Sequence, residues 1–313
     1  MLHNSKPLVA IHCLVYNHEP YLRDCFEGFV MQQTNFPFVA IVHDDASIDG
    51  SAEIIREYEE KYPHIFKPIF EIENQYSKRD GSLERIMDDA INATGAKYVA
   101  LCEGDDYWTD PMKLQKQVDF LEANPAYGLI HTKVYHQIDS NIHEDHIYRE
   151  KSSFKELIFG QKISTLSVLV SRKVLQSAYQ ILDSNKKLQS TYMGDYPLFL
   201  VISSISDIAF LNTYTGVYRI IANSASRPSD IKRKYQFDLE VIMIKQTYYK
   251  YSKTCKREFC NFIYSIRFRS NLFHSYKRIV KSYGIIEMRV LNRIILLFPF
   301  ALVDKLLNLN KRH

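Results

Sequence analysis

The chain has 313 residues, 46% hydrophobic and 24% charged, with 10 glycines and 10 prolines. That length carries one large α/β domain with an appendage, or two small domains, and so little glycine and proline excludes a long disordered linker. The formal net charge of +4 hides an asymmetry: residues 228–313 hold 18 Lys and Arg against 6 Asp and Glu, whereas residues 1–227 hold 22 against 30.

A basic tail on an acidic body suits an anionic partner surface, lipid headgroups or nucleic acid. Cys13, Cys25, Cys102, Cys255 and Cys260 form no C-x-x-C pair and no zinc-type cluster with histidine. Neither a disulfide framework nor structural zinc is indicated, and a reducing cytosol fits.

Residues 8–15 are an apolar run of the kind shown by a strand buried on both faces, and no small-residue cleavage site follows to make them a signal peptide. Pro20 is expected to open a helix whose apolar positions Tyr21, Leu22, Cys25, Phe26, Phe29 and Val30 share a face. Residues 38–42 read as a second buried strand, ending in an acidic turn. Ser51 then caps a helix with Ile54, Ile55, Tyr58 and Tyr62 on one side, stopped by Pro63. Residues 65–72 read as a third strand and 82–94 as a helix closed by Gly95. Residues 98–102 read as a fourth strand.

Alternating strands and helices predict a parallel sheet with covered faces. Further on, 110–121 reads as a helix capped by Asp110, 128–138 and 164–170 as strands, and Ser171 as the cap of a helix to 182. Met193-Gly194-Asp195-Tyr196-Pro197 begins another helix, 208–220 reads as two strands about a turn at Asn212-Thr213, and everything from 231 onward reads as helical and basic except the apolar run 294–303.

The sequence is organised around Glu103-Gly104-Asp105-Asp106. Three carboxylates within four residues repel one another unless a positive charge is shared, and a divalent cation with oxygen ligands is the simplest candidate. A second acidic turn, with Asp44, Asp45 and Asp49, follows another strand of the same predicted sheet. Both turns should therefore open on one edge, where ligands of open α/β sheets bind.

These residues, in this order, resemble the inverting glycosyltransferases of family 2. The strand ending in Tyr16-Asn17 with Tyr21-Leu22, the turn Asp44-Asp45-Ala46-Ser47-Ile48-Asp49-Gly50-Ser51, and Glu103-Gly104-Asp105-Asp106 with Trp108 and Pro111 carry the likeness over about residues 7–227, with Gly194-Asp195 and Val217-Tyr218-Arg219. The resemblance implies a GT-A fold, an α/β Rossmann-like, mainly parallel sheet flanked by helices, over residues 1–227, with a helical C-terminal extension at 228–313. It implies Val15, Tyr16, Asn17, Asp44, Asp45, Ser47, Glu103, Arg79 and Arg219 around the nucleotide, Mn²⁺ or Mg²⁺ on Asp105 and Asp106, and Asp195 as the catalytic base. Trp108 and Ser167 are expected to border the acceptor.

The departures from the family pattern are Glu103 for the first acid, Gly194 before the base, Ile220-Ile221 where many members place a metal-binding histidine, and no recognisable R-N loop before the third helix. The implied reaction moves a sugar from a nucleotide-sugar donor, a UDP-sugar by analogy, to a saccharide or lipid-linked saccharide in bacterial polysaccharide, lipopolysaccharide or capsule synthesis.

Two other classes compete: a sugar nucleotidyltransferase, which would want a glycine-rich, lysine-containing loop where the chain has Tyr16-Asn17-His18-Glu19-Pro20, and a non-catalytic nucleotide-binding scaffold at the membrane. The tail carries no nucleic-acid-binding motif. Its apolar run is half the ~20 residues needed to span a bilayer. It either lies on the inner face of the plasma membrane, which would leave a cytoplasmic protein peripherally attached, or packs on the body.

Overall fold

A computed structural model describes residues 6–144, 153–160, 163–185, 193–221, 229–254 and 262–283. Contacts divide the chain into two units, one of residues 1–157, 161–184 and 198–221, the other of 158–160, 185–197 and 222–313.

The first unit begins β1 (Val9–Val15), α1 (Leu22–Val30), β2 (Phe38–Asp44), α2 (Ser51–Lys61), β3 (Phe66–Phe70), α3 (Gln75–Lys78), α4 (Ser82–Thr94) and β4 (Tyr98–Leu101). The continuous apolar runs become strands buried on both faces: Val9, Ala10, Ile11, Val99 and Ala100 are fully buried. Strands β3, β2, β1 and β4 pair in parallel in that order. Each crossover helix lays its apolar stripe on the sheet. Phe26 and Phe29 of α1 meet Phe66 and Trp108, with ring centroids 4.9 Å apart in the Phe26–Phe66 and Phe29–Trp108 pairs.

After β4 the chain forms β5 (Tyr107–Trp108), α5 (Lys113–Ala123), β6 (Tyr127–Ile138), β7 (Asn141–Glu144), α6 (Phe154–Leu157), β8 (Leu169–Ser171), α7 (Arg172–Ser184), α8 (Asp195–Ile205) and β9 (Asp207–Arg219). Here the pairing is mixed. β8 is antiparallel to both β4 and β6, β9 is parallel to β6, and β5 is antiparallel to β9. The parallel half predicted from sequence is thus β3 to β4, and the sheet as a whole is a mixed one.

Three local expectations are corrected. α1 begins at Leu22, not at Pro20. Asp110 accepts the amide of Met112 at 2.9 Å in a turn before α5, which starts at Lys113. Residues 207–219 form one strand: Leu211 and Tyr214 pair with the adjacent Thr132 and Lys133, so Asn212-Thr213 is a bulge where a turn was expected.

In the second unit α9 (Ile231–Thr254) and α10 (Phe262–Tyr283) bury Tyr235, Ile242, Tyr248, Tyr249, Leu272, Tyr276 and Ile279. Lys245 is buried there, donates to the carbonyl of Phe159 at 2.7 Å, and is held down at about 8 by burial. The apolar run 294–303 lies outside the described residues. No helix among the described residues is long and apolar enough to cross a membrane.

Candidate active site

Parallel pairing puts the carboxyl ends of β1, β2 and β4 on one edge, with Val15 beside Asp44. The loops that leave this edge are laced together. The amide of Asn17 donates to Ser47 Oγ at 2.9 Å, and Asn17 Oδ1 accepts the amide of Ile48 at 2.9 Å. The amide of His18 donates to Ser51 Oγ, that of Glu19 to Asp49 Oδ2, and that of Gly50 to Glu19 Oε2, each at about 3 Å. Asn17 (φ 56°) and Ala46 (φ 61°) take the left-handed conformation that non-glycine residues rarely adopt, local strain of the kind concentrated at binding sites.

Within this edge the predicted nucleotide residues divide into two sets. Asn17 and Ser47 bond to each other's loops. The carboxylate of Asp45 accepts the amides of Gln75 (2.6 Å) and Tyr76 (3.0 Å), fixing the start of α3. Val15 is buried, and its carbonyl accepts the amide of Asp45. These four, all expected around the nucleotide, bond to the backbone of the loops themselves. Tyr16 is 46% exposed, and Glu103 and Arg79 are exposed, with the Arg79 guanidinium 4.3 Å from the ring centroid of Tyr76. Asp44 is 3% exposed and its Oδ1 has no hydrogen-bond partner. Burial pushes its carboxyl above the usual range, opposed by the hydroxyl and amide of Ser47.

The second turn is set by close packing. Gly104 donates its amide to the carbonyl of Leu14. A Cβ at Gly104 would stand 2.9 Å from His18 Nδ1 and 3.0 Å from side-chain atoms of Leu22 and Val15, so glycine is required by space. Asp106 is buried and accepts the amide of Arg219 at 2.8 Å. Burial, then the neighbouring Asp105, push its carboxyl well above the usual range. Asp105 is half-buried, and among the described residues its carboxylate accepts no hydrogen bond.

Among the described residues no three His, Cys, Asp or Glu side chains are grouped to hold a metal ion by themselves. The pair fits a hard cation that draws its other ligands from phosphate oxygens and water, with Asp105 as the open carboxylate.

The guanidinium of Arg219, expected around the nucleotide, donates to the carbonyl of Asp105 at 2.9 Å, pairs with Asp24, and lies over the rings of Tyr107 (4.3 Å) and Tyr21 (5.3 Å). Arg219 clamps the carboxylate turn. Asp24 was missed by the sequence reading because nothing local marks a helix residue that meets one 195 positions away.

Trp108 and Ser167, expected to border the acceptor, are both buried. Trp108 is 2% exposed, with Nε1 bonded to the carbonyl of Leu166 at 2.9 Å, and Ser167 is fully buried with Oγ bonded to the carbonyl of Ser164. The apolar bulk of Trp108 drives it into the core. Asp195 is the first residue of α8, where its Oδ1 accepts the amide of Tyr196 at 2.7 Å. It belongs to the second unit.

A mixed sheet flanked by helices, with two acidic loops on one edge, has the architecture of the GT-A fold. The model of the family "Glycosyl transferase family 2" matches residues 11–170, and the chain belongs to that family. An uncharacterized protein of Mycobacterium tuberculosis is 34% identical over 215 residues, 67% of this chain and 58% of that relative. The chain thus spans 58% of the length of the first relatives it matches. TuaG of Bacillus subtilis, a protein named for teichuronic acid biosynthesis, is 27% identical over 231 residues, 71% of this chain and 83% of its own. S. aureus TarS in complex with UDP shares the fold with a TM-score of 0.57 and 12% identity, over 93% of this chain and 81% of that one.

Proposed function

We propose that this protein transfers a sugar from a nucleoside diphosphate sugar, a UDP-sugar by analogy with the UDP-bound TarS, to an acceptor hydroxyl with inversion at the anomeric carbon. The observation that carries the reading is the shared edge, where an unpartnered acceptor, Asp44 Oδ1, and an unengaged carboxylate, Asp105, stand on the loops either side of the one that leaves β1.

Asp44 accepts an N–H of the nucleobase, which stacks on Tyr16, and the exposed Glu103 accepts from the ribose. Arg79 reaches the diphosphate. Asp105, with Asp106, would hold a divalent cation, Mn²⁺ or Mg²⁺, whose charge would offset that developing on the leaving diphosphate. Asp195 takes the proton of the acceptor hydroxyl as its oxygen bonds the anomeric carbon and the bond to the diphosphate breaks, a contribution of about 10²- to 10⁴-fold. No covalent enzyme intermediate is needed for inversion.

The acceptor is a saccharide or lipid-linked saccharide of a surface polysaccharide, in keeping with TuaG's name, met at the cytoplasmic membrane face, where the basic tail suits anionic headgroups. Calorimetric titration of UDP, GDP and their sugars, with and without Mn²⁺, tests this. Mn²⁺-dependent binding of one nucleotide, lost in Asp105→Asn, is expected. No binding to any of them by the folded protein would overturn the reading.

A further inference from the structure

Between the two acidic loops stands a side chain that neither the motifs nor the roles above employ. His18 follows Tyr16-Asn17 directly, its amide is held by Ser51 Oγ, and its carbonyl accepts the amides of Tyr21 and Leu22 at the start of α1. The backbone therefore fixes where the imidazole goes. The ring lies against Gly104, whose missing side chain leaves room for Nδ1. Its charged neighbours come from both loops: Asp105 on one side, Asp49 and Asp44 on the other.

Nδ1 is buried and has no hydrogen-bond partner, while the residue as a whole is only half-buried. Among the described residues the imidazole makes no side-chain hydrogen bond. A buried N–H without an acceptor is costlier to leave than a bare ring nitrogen, because N–H groups are almost never orphaned in folded proteins. The favoured tautomer leaves Nδ1 bare and carries its hydrogen on Nε2, at the ring edge away from Gly104. A rigidly placed, unengaged N–H donor thus stands between two carboxylate loops that would otherwise repel an anionic ligand.

We infer that His18 is a further donor-site residue, whose Nε2–H hydrogen-bonds an oxygen of the ribose–diphosphate portion of the nucleotide that spans the Asp44 and Asp105 loops. This rests on the donor-site reading proposed above. His18 separates the acidic loops with a donor, so the nucleotide's oxygens meet a hydrogen-bond partner there and not only like charge.

The test exploits the different reach of two amides: the amide nitrogen of Gln overlays Nε2 of histidine and that of Asn overlays Nδ1. UDP and GDP are titrated by calorimetry, with Mn²⁺ present, into the full chain and into His18→Gln, His18→Asn and His18→Leu. Melting curves confirm that each is folded. The expected result is affinity about ten-fold or more weaker in the Asn and Leu variants, the worth of one hydrogen bond to a charged group, with His18→Gln within about three-fold of the parent.

Unchanged affinity in His18→Leu overturns the inference while leaving the donor site standing. Equal loss in Gln and Leu, or rescue by Asn alone, overturns the assignment to Nε2. Absence of binding by the parent chain overturns the donor-site reading and the inference together.

Discussion

Asp44→Asn separates binding from stability at one atom. Asp44 is 3% exposed, one of its oxygens has no partner, and burial lifts its folded pKa above the ordinary 3.8. A carboxyl raised in this way is protonated more readily folded than unfolded. Stability is therefore lost as pH climbs from 3.8 through the raised value, and the whole penalty is present at neutral pH. An amide fills the same space without charge and can still accept from Ser47.

Leaving a charged group unpaired costs more than leaving a neutral one, and the difference is about 1 kcal/mol. For a domain of this size that is ~2–4 °C in melting temperature. The ligand-free variant should melt higher by that amount at pH 7 and lose the advantage as pH falls toward 4. Its nucleotide affinity should fall, because a hydrogen bond to a charged acceptor is worth about 1.5–3 kcal/mol, or roughly 10- to 150-fold. Scanning fluorimetry across pH reads the first effect and calorimetry with UDP and Mn²⁺ the second. A variant that melts lower at pH 7, or binds as tightly as the parent, would refute the reasoning.

Arg219→Lys keeps the charge but not the fork that bonds Asp105 and Asp24, and should cost about 1–3 kcal/mol in denaturant unfolding while speeding amide exchange at residues 103–106. Asp24→Asn, at a partner whose side chain is 63% exposed, should cost under ~1 kcal/mol. Lys113 is fully buried, bonded to Gln117 at 2.7 Å, and lowered to about 7 by burial. Its unfolded form binds the extra proton between 7 and the ordinary 10.5, so stability should rise with pH across that window, and Lys113→Met should remove up to ~1.4 kcal/mol per pH unit of that slope in chemical denaturation. Trp108→Phe deserts the carbonyl of Leu166 and should destabilise by about 1–3 kcal/mol with nucleotide affinity unchanged; a specific loss of acceptor binding at unchanged stability would restore Trp108 to the acceptor site.

Much of the sheet edge that carries the candidate site was legible in the chain. β1, β2 and β4 declare themselves as unbroken apolar runs because a strand covered on both faces has no polar side to show. The acidic turns stand where those runs stop, and parallel pairing follows from the intervening helices, so their common edge could be deduced before any coordinates. Asp45, Asn17 and Arg219 carry the same residue types as a ligand-binding site, and their types alone do not say whether a backbone amide or a nucleotide will take the hydrogen bond.

Sequence by itself determined the local periods, the alternation of strands and helices in the first hundred residues and the placing of carboxylates at strand ends, since each depends on neighbours within a few residues. Tertiary structure alone decided that Asp106 accepts an amide 113 positions away, that Trp108 bonds a carbonyl 58 positions away, and that His18 is pinned by a serine 33 positions away. Those partners are chosen by sheet register and by what space the packed core leaves. A one-residue shift in β9 would bring a different amide to Asp106, and no local pattern records that shift.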